Sequence, residues 1–308
     1  MTNDKEVLVE LKDVKKEFVT SKTWAGKPLK VVHAVDRVNL SIYKGETIGV
    51  VGESGCGKST LGRCILRLLN PTSGEVIYRG QDITRYNKEQ MRQMRRKMQL
   101  VFQDPYASLN PRMTVLELIK APLDAFGIGN NEERIQKVRE IMELVGMPEN
   151  MMNRYPHEFS GGQRQRIVIA RALVLDPEFV VCDEPVSALD VSVRAQVLNL
   201  IQDLKKTKDL TYLFISHDLS VVKYISDRIA VMYLGRVVEV AKKEDLYQNP
   251  AHPYTKALLS AIPIPDVDNQ MKREILTGDV PSPLNPPSGC YFHTRCKYAT
   301  ELCRTKCP

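Results

Sequence analysis

A glycine-rich loop with a Lys-Ser pair carries the clearest chemistry in this sequence. Its nine residues are Gly52, Glu53, Ser54, Gly55, Cys56, Gly57, Lys58, Ser59 and Thr60. The apolar run at 47–51 predicts a buried strand before the loop, and the apolar spacing over 58–69 predicts a helix after it. A G-x-x-x-x-G-K-[ST] loop in this setting binds phosphate, because its backbone N–H groups and the helix dipole attract anions. We expect Lys58 to reach the β- and γ-phosphates of a nucleotide and Ser59 to complete the coordination of Mg²⁺.

Two adjacent carboxylates, Asp183 and Glu184, end another apolar run that begins at Phe179. A strand this apolar is typical of a parallel sheet buried on both faces, and such sheets bind ligands at the carboxyl ends of their strands. We expect Asp183 to hold Mg²⁺ through water. Glu184 lies on the opposite side of the pleat and is expected to polarise a water for in-line attack on a phosphate.

Gln103 and His217 also follow predicted strands, at 99–103 and 211–215. At the end of a parallel strand, Gln103 can touch Mg²⁺ or the attacking water. His217 can form a hydrogen bond with a γ-phosphate, although most lone histidines are structural or surface residues. Gln103 alone is a weak signal, whereas the expected position of His217 at the carboxyl end of a strand favours a functional role, provided that the strands are adjacent.

A second anion site is predicted where Ser160, Gly161, Gly162 and Gln163 precede an expected helix at 167–175. Ser160 is the expected N-cap, and the following glycines leave backbone N–H groups exposed. One chain would then carry two phosphate-binding helix ends, which is more than one nucleotide needs.

The elements that must position these residues follow from the same patterns. Short β-like pieces at 7–11, 31–32 and 38–42 predict a small antiparallel layer before the phosphate loop. Phe18 is placed on the connection between these pieces, where its ring can either stack on a purine or pack in the core. Residues 105–156 show helical spacing and no strand pattern, which indicates an inserted helical subdomain.

Composition restricts the class of protein. The 308 residues are 43% hydrophobic and 26% charged, which is typical of a globular chain, and the net charge of +7 permits an anionic partner without identifying it. No apolar run approaches the roughly 18 residues of a membrane helix, and the first ten residues lack a signal-peptide core, so a cytoplasmic chain is expected. The basic run 92–97 has no interleaved aromatic residues, which favours a solvated helix face over nucleic-acid binding.

Taken in order, these motifs resemble the ATPase subunit of ATP-binding cassette (ABC) transporters. Residues 52–60 resemble the Walker A loop, and residues 179–184 resemble Walker B followed by the catalytic Glu. Phe18 matches the adenine-stacking position, Gln103 matches the Q-loop, and His217 matches the switch histidine. Residues 160–163 resemble the signature sequence, and residues 187–190, which include Asp190, resemble the D-loop. The resemblance implies an α/β, P-loop NTPase cassette with a RecA-like parallel-sheet core, an antiparallel β subdomain and an inserted helical subdomain. We place the ATPase domain at 1–248, its helical subdomain at about 105–175, and a Cys-rich C-terminal extension at 249–308.

The resemblance also implies partners. Two such domains meet head to tail, so that the Ser-Gly-Gly of one covers the ATP held by the Walker A loop of the other, which accounts for the second anion site. The second ATPase is expected to be a paralogue. Gln103 and the helical subdomain would contact two multi-span permease subunits at the cytoplasmic face of the membrane, and an extracytoplasmic peptide-binding protein would deliver the substrate.

The tail narrows the family. Residues 249–259, the Pro-rich stretch that follows and the terminal cysteines are similar to the ATPases of bacterial oligopeptide and dipeptide importers, most like the F-type oligopeptide subunit. We therefore expect ATP-driven peptide uptake. Uptake of nickel or glutathione by the same kind of importer is one alternative. Another is a soluble ATPase of the superfamily that acts on nucleic acid, although the coiled coils, zinc insertions or second cassette of such proteins are not visible in this sequence.

Four cysteines, Cys290, Cys296, Cys303 and Cys307, follow the pattern C-x5-C-x6-C-x3-C. This spacing is compatible with an iron–sulfur cluster, a structural zinc or free thiols. The family resemblance points to a [4Fe-4S] cluster, but relatives usually place the fourth cysteine further along than Cys307. The three remaining cysteines, Cys56, Cys64 and Cys182, are expected to be small core or loop residues.

Overall fold

The computed structural model describes residues 6–22, 28–262, 276 and 278–307. Its strands are β1 (Val7–Lys22), β2 (Pro28–Tyr43), β3 (Thr47–Val51), β4 (Ser73–Tyr78), β5 (Gln81–Asp82), β6 (Met98–Val101), β7 (Phe179–Asp183), β8 (Thr211–Ile215), β9 (Arg228–Tyr233) and β10 (Arg236–Lys242). Its α-helices are α1 (Lys58–Ile65), α2 (Lys88–Lys97), α3 (Pro105–Ser108), α4 (Val115–Phe126), α5 (Asn131–Leu144), α6 (Gly161–Leu173), α7 (Val191–Lys208), α8 (Leu219–Ile225), α9 (Lys243–Gln248), α10 (Pro253–Ser260) and α11 (Glu301–Thr305).

The chain divides into two compact units. The first contains residues 1–43, 48–85 and 216–308, and the second contains 44–47 and 86–215. The phosphate loop, His217 and the cysteine-containing tail therefore belong to the first unit. Gln103, the carboxylates Asp183 and Glu184 at the end of β7, and the Ser-Gly-Gly segment belong to the second.

An antiparallel sheet of order β2-β1-β4-β5 forms one layer of the first unit and confirms the predicted β layer. The interpretation of Phe18 as part of a connection is wrong, because β1 continues through it and pairs Phe18 with Val32 of β2. The segment around Phe18, residues 12–22, contains no Gly or Pro to end the strand, and it includes the strand-favouring residues Val14, Val19 and Thr20.

The phosphate loop of this unit follows the buried strand β3, which pairs with β9. Residues 48–51 of β3 pair in parallel with β9, which pairs antiparallel with β10, and every residue of β3 is buried. The helix after the loop ends at Ile65, earlier than the predicted 69. Leu66 leaves helical geometry and Arg67 has a φ of +51°, so the helix cannot continue towards Pro71.

Three parallel strands, β6, β7 and β8, form the sheet of the second unit. The β7–β8 register runs from Phe179 opposite Thr211 to Asp183 opposite Ile215, and both strands are buried along their whole length, as the apolar pattern predicts. The predicted strand at 99–103 is shorter than expected: β6 ends at Val101, because the following residues lead into the cap and proline that start α3.

Helices α3, α4 and α5 lie within residues 105–156 and confirm the helical character of this segment. Helix α4 begins at a capping box formed by Thr114 and Glu117 and ends at the left-handed Gly127. Helix α6 begins at Gly161, six residues before the predicted start, because Ser160 and Gln163 form a capping box there.

Within the described part of the chain, no helix is both long and apolar enough to cross a membrane.

Candidate functional site

The lysine of the phosphate loop is turned into the loop itself. The Lys58 ammonium donates hydrogen bonds to the backbone carbonyls of Gly52 at 2.8 Å and Glu53 at 3.0 Å, and the residue is only 5% exposed. A buried ammonium is costly unless its hydrogen bonds are satisfied, and here the loop backbone satisfies them. The loop therefore holds a positive charge at its centre, where a phosphate is attracted.

Gly57 shapes the junction between the loop and α1. It has a φ of +103°, and a Cβ placed on it would lie 2.0 Å from the carbonyl oxygen of Ala34. Gly57 is also the N-cap of α1 and supplies no side-chain hydrogen bond to the helix, so the first N–H groups of α1 can serve an anion. Gly55 has a φ of +78°, but open space surrounds the position of its missing Cβ.

His217 and Phe18 are the other predicted site residues of the first unit. His217 is exposed and lies between Ser216 and the start of α8, which Asp218 caps by accepting hydrogen bonds from the N–H groups of Ser220 and Val221. Phe18 is 37% exposed, and the Lys16 ammonium lies 5.1 Å from the centre of its ring. Their contacts with a nucleotide stay predictions.

In the second unit, the structure brings Gln103 and Glu184 together. The Gln103 amide nitrogen donates a hydrogen bond of 3.0 Å to a carboxylate oxygen of Glu184. Asp183, the last residue of β7, is 3% exposed. The predicted water-activating and metal-binding side chains thus lie at the carboxyl end of the parallel strands, where ligands of such sheets bind.

Glu184 adopts a backbone conformation that residues other than glycine rarely occupy. Its φ is +48°, and its N–H donates to the carbonyl of Ile215 at 3.0 Å. Its own carbonyl accepts hydrogen bonds from the N–H and the hydroxyl of Ser187 at 3.3 and 3.1 Å. Strained backbone persists where surrounding contacts determine it, and it is concentrated at active sites.

The Ser-Gly-Gly segment starts α6 as a capped helix. The Ser160 hydroxyl accepts a hydrogen bond from the N–H of Gln163 at 3.4 Å, and the Gln163 side chain accepts one from the N–H of Ser160 at 3.0 Å. The N–H groups of Gly161 and Gly162 lie in the first turn, where helices have no internal partners for them. Asp190 is exposed and begins α7 without capping it through its side chain.

Sequence reasoning missed two residues that contact the phosphate loop from the tail. The Arg295 guanidinium lies 3.1 Å from one carboxylate oxygen of Glu53 and 3.3 Å from the other. The Tyr254 hydroxyl accepts a 3.0 Å hydrogen bond from the Glu53 N–H. More than 200 positions separate these residues from Glu53 in sequence, and the tail segments that contain them gave no signal of a contact with the phosphate loop.

The tail cysteines do not form a ready ligand set. Cys290, Cys296 and Cys303 are partly buried and Cys307 is exposed. Burial raises the pKa of the Cys290 thiol, and the other three thiols lie near enough to raise it further. The described residues nevertheless contain no group of three or more His, Cys, Asp or Glu side chains arranged to hold a metal ion. The predicted [4Fe-4S] cluster is therefore not supported.

Two of these thiols contact protein donors. The guanidinium of Arg236 donates to the Cys307 sulfur at 3.3 Å, and the backbone N–H of Thr300 donates to the Cys303 sulfur at 3.5 Å. Each of these contacts gives its sulfur a hydrogen-bond donor from the protein.

The other three cysteines are buried, as predicted. Cys56, Cys64 and Cys182 are at most 5% exposed, and burial raises the pKa of the Cys64 thiol to about 11. Cys64 is therefore protonated at neutral pH and packs as a small apolar side chain.

Two family models match this chain. The model described as ABC transporter matches residues 35–187, and the model described as oligopeptide/dipeptide transporter, C-terminal region, matches residues 238–303.

Curated relatives resemble the chain over nearly its full length. It is 53% identical to the oligopeptide transport ATP-binding protein AppF of Bacillus subtilis, covering 99% of this chain and 94% of the relative. It is 52% identical to the oligopeptide transport ATP-binding protein OppF of Salmonella typhimurium, covering 97% of this chain and 91% of the relative.

Solved structures show the same fold. The dimeric post-hydrolysis structure of the ATP-binding cassette MJ0796 bound to ADP and Pi matches with a TM-score of 0.68 and 31% identity, covering 77% of this chain and 99% of that one. The structure of cbiO1 from Clostridium perfringens, part of the ABC transporter complex cbiONQ, matches with a TM-score of 0.68 at 24% identity, covering 79% of this chain and 92% of that one.

Comparing Gly57→Ala with Gly55→Ala distinguishes the effect of steric overlap from the effect of backbone strain in the phosphate loop. We expect Gly57→Ala to abolish binding of a non-hydrolysable ATP analogue, because its methyl group overlaps the Ala34 carbonyl. Gly55→Ala has space for the methyl group and carries only the left-handed strain, about 1–2 kcal/mol, so weaker but measurable binding is expected. Titration of the purified full-length chain with a fluorescent analogue measures both. Equal affinities for the two variants would contradict the assigned close approach at Gly57.

Proposed function

The chain belongs to the ABC transporter ATPases of the oligopeptide and dipeptide importers, and on that premise we propose that its phosphate loop and the carboxylates after β7 act on one ATP. It is an ATP hydrolase whose activity energises peptide uptake. The hydrogen bond between Gln103 and the strained Glu184 is the observation that carries the proposed mechanism, because it joins the two predicted catalytic side chains.

In the proposed site, the phosphate loop binds and orients the triphosphate. The Lys58 ammonium and the first N–H groups of α1 hold the phosphate oxygens, and Phe18 stacks on the adenine. Ser59, Asp183 and Gln103 offer hydroxyl, carboxylate and amide oxygens, which are the hard donors that suit Mg²⁺. When bound there, Mg²⁺ neutralises phosphate charge that develops during hydrolysis.

Glu184 is the proposed group that polarises the attacking water. The Gln103 amide nitrogen holds one oxygen of the Glu184 carboxylate at 3.0 Å, which fixes the direction in which the other oxygen can accept a hydrogen bond from water. His217 is the proposed hydrogen-bond partner of the γ-phosphate. Attack by this water on the γ-phosphorus breaks its bond to the bridging oxygen and gives ADP and phosphate.

A second cassette completes the proposed site. Residues 160–163 and Asp190 of one subunit would lie against the ATP bound to the phosphate loop of its partner, which we propose to be a paralogue. The exposed Ser160 at the start of α6 supports this proposal, because the unpaired N–H groups in the first turn of a helix suit a phosphate from another molecule.

The remaining partners follow from the proposed transport role. We place the chain at the cytoplasmic face of the membrane, with two multi-span permease subunits and an extracytoplasmic peptide-binding protein. The relatives are peptide transport proteins, so action on nucleic acid and uptake of nickel or glutathione are not favoured.

The metal at the tail is a separate part of the proposal. The family resemblance and the proximity of three other thiols to Cys290 are the reasons for proposing a [4Fe-4S] cluster on Cys290, Cys296, Cys303 and Cys307. The present arrangement of the sulfurs does not fit such a cluster, and no step of ATP hydrolysis depends on it.

Glu184→Gln should stop turnover while leaving nucleotide binding intact. Loss of the water-polarising carboxylate is expected to lower steady-state hydrolysis by at least about a hundredfold and to trap ATP-bound dimers. Glu178→Gln is the matched control, because this carboxylate lies at the other end of β7 and is 3.9 Å from Lys97. ATPase assays and nucleotide trapping in the assembled transporter measure both effects. Near wild-type turnover in Glu184→Gln would overturn the assignment.

Affinity purification of the tagged chain from detergent-solubilised membranes tests the transport role. We expect mass spectrometry to identify two multi-span proteins, a second cassette ATPase and an extracytoplasmic peptide-binding protein. Recovery with DNA or ribosomes and without a permease would contradict the proposal.

Metal analysis of the anaerobically purified chain tests the tail. If the cluster forms, iron and acid-labile sulfide should be present in equal amounts and should be lost in Cys296→Ser but retained in Cys64→Ser, where the replaced thiol is buried elsewhere. An anaerobic sample without iron would refute the cluster.

A further inference from the structure

We propose that the C-terminal tail contributes to the ATP site. Its residues Arg295 and Tyr254 are positioning residues, which hold the phosphate loop in place through their contacts with Glu53. The inference rests on the proposed ATP site at that loop. It assigns a role in nucleotide binding to tail residues that lie outside every motif of the cassette.

Glu53 is held at three separate groups. Its carboxylate forms a two-oxygen ion pair with Arg295, its N–H donates to the Tyr254 hydroxyl at 3.0 Å, and its carbonyl accepts from the Lys58 ammonium at 3.0 Å. The tail supplies the first two of these contacts. The third connects Glu53 directly to the cation that binds phosphate, so a shift of Glu53 must also shift Lys58.

The two tail residues are themselves firmly placed. Tyr254 is fully buried in α10, and the Arg295 side chain is 8% exposed, compared with 28% for Glu53. Guanidinium–carboxylate pairs with two contacts fix geometry better than a single charge contact does. Removing one partner of a pair this buried leaves the other charge without compensation, which is costly.

Packed aromatic rings connect these two residues to the core of the unit. Phe292, three residues before Arg295, is 1% exposed, and its ring centre lies 5.2 Å from Tyr233 and 5.5 Å from Tyr254. Tyr233 and Tyr254 are also in contact, with ring centres 4.7 Å apart. Such clusters bury large apolar surfaces in defined geometry, so the turn His293–Arg295 presents its arginine from a rigid base.

This arrangement predicts an effect on nucleotide affinity. A loop held in its binding conformation loses less conformational entropy when ligand binds, so loosening it weakens binding without removing a ligand contact. The two tail contacts act on one residue of the loop, and their effects should therefore be coupled to Glu53.

A double-mutant cycle on the full-length chain tests the coupling. The variants are Glu53→Gln, Arg295→Gln and the double substitution, each titrated with a fluorescent non-hydrolysable ATP analogue. Each single change should weaken affinity about tenfold, as loss of a charged hydrogen bond does, and the double variant should be no weaker than the weaker single one. Arg295→Lys should recover part of the affinity that Arg295→Gln loses. Tyr254→Phe should also weaken binding of the analogue, although it changes no charge.

Matched controls distinguish positioning from general damage to the tail. Arg304→Gln removes the same charge from an exposed tail residue whose guanidinium lies 3.6 Å from the Glu301 carboxylate, and Tyr298→Phe removes a hydroxyl from a residue that is 58% exposed. Both should bind the analogue like the wild type. Thermal melting of every variant identifies any loss of folding, and the Glu53→Gln arm leaves the tail sequence unchanged.

The outcomes are separable. If the wild type binds no nucleotide, the proposed function fails. If the wild type binds and the Arg295 and Tyr254 variants bind equally well, the positioning role is refuted while the proposed function stands. Additive losses of affinity in the double variant would also refute the positioning role, as would a loss in Arg304→Gln equal to that in Arg295→Gln. A specific contact between the tail and Glu53 predicts neither result.

Discussion

The structure around the phosphate loop in the first unit depends on compensating the buried positive charge of Lys58. The Lys58 ammonium is almost fully removed from solvent, and the carbonyls of Gly52 and Glu53 replace the water it has lost. Those carbonyls can face inward only because the loop curls between a buried strand and a helix. Strand β3, the turn of the loop and the start of α1 are therefore parts of one arrangement that holds a cation ready for phosphate.

In the second unit, the main structural feature is the orientation of the Glu184 carboxylate. The parallel strands β6, β7 and β8 end close together, and the left-handed φ of Glu184 turns the chain immediately after the last residue of β7. Hydrogen bonds from Gln103 and Ser187 and to Ile215 hold that turn in place. The strain is thus offset by contacts that also orient the Glu184 carboxylate, and strained backbone of this kind is concentrated at active sites.

The tail joins the chemistry of the first unit through packing and charge. Its aromatic residues pack against Tyr233 in tilted and edge-to-face contacts, and its arginine pairs with a residue of the phosphate loop. The region of this chain that matches the oligopeptide/dipeptide transporter C-terminal model, residues 238–303, therefore contacts the phosphate loop. The cassette motifs alone do not supply this contact.

The sequence by itself determined the family, the order of the strands and helices around each motif, and the residues of the phosphate loop and the carboxylate pair. These properties depend on local spacing: glycines before a Lys-Ser pair, or apolar runs that end in acids. Element ends were less predictable, as at α1 and α6, because capping and left-handed residues decide them. The Gln103–Glu184 hydrogen bond, the strand position of Phe18 and the Arg295–Glu53 pair were decided only by the tertiary structure. They depend on which distant segments pack together, and the cysteine spacing likewise could not show where the four sulfurs lie.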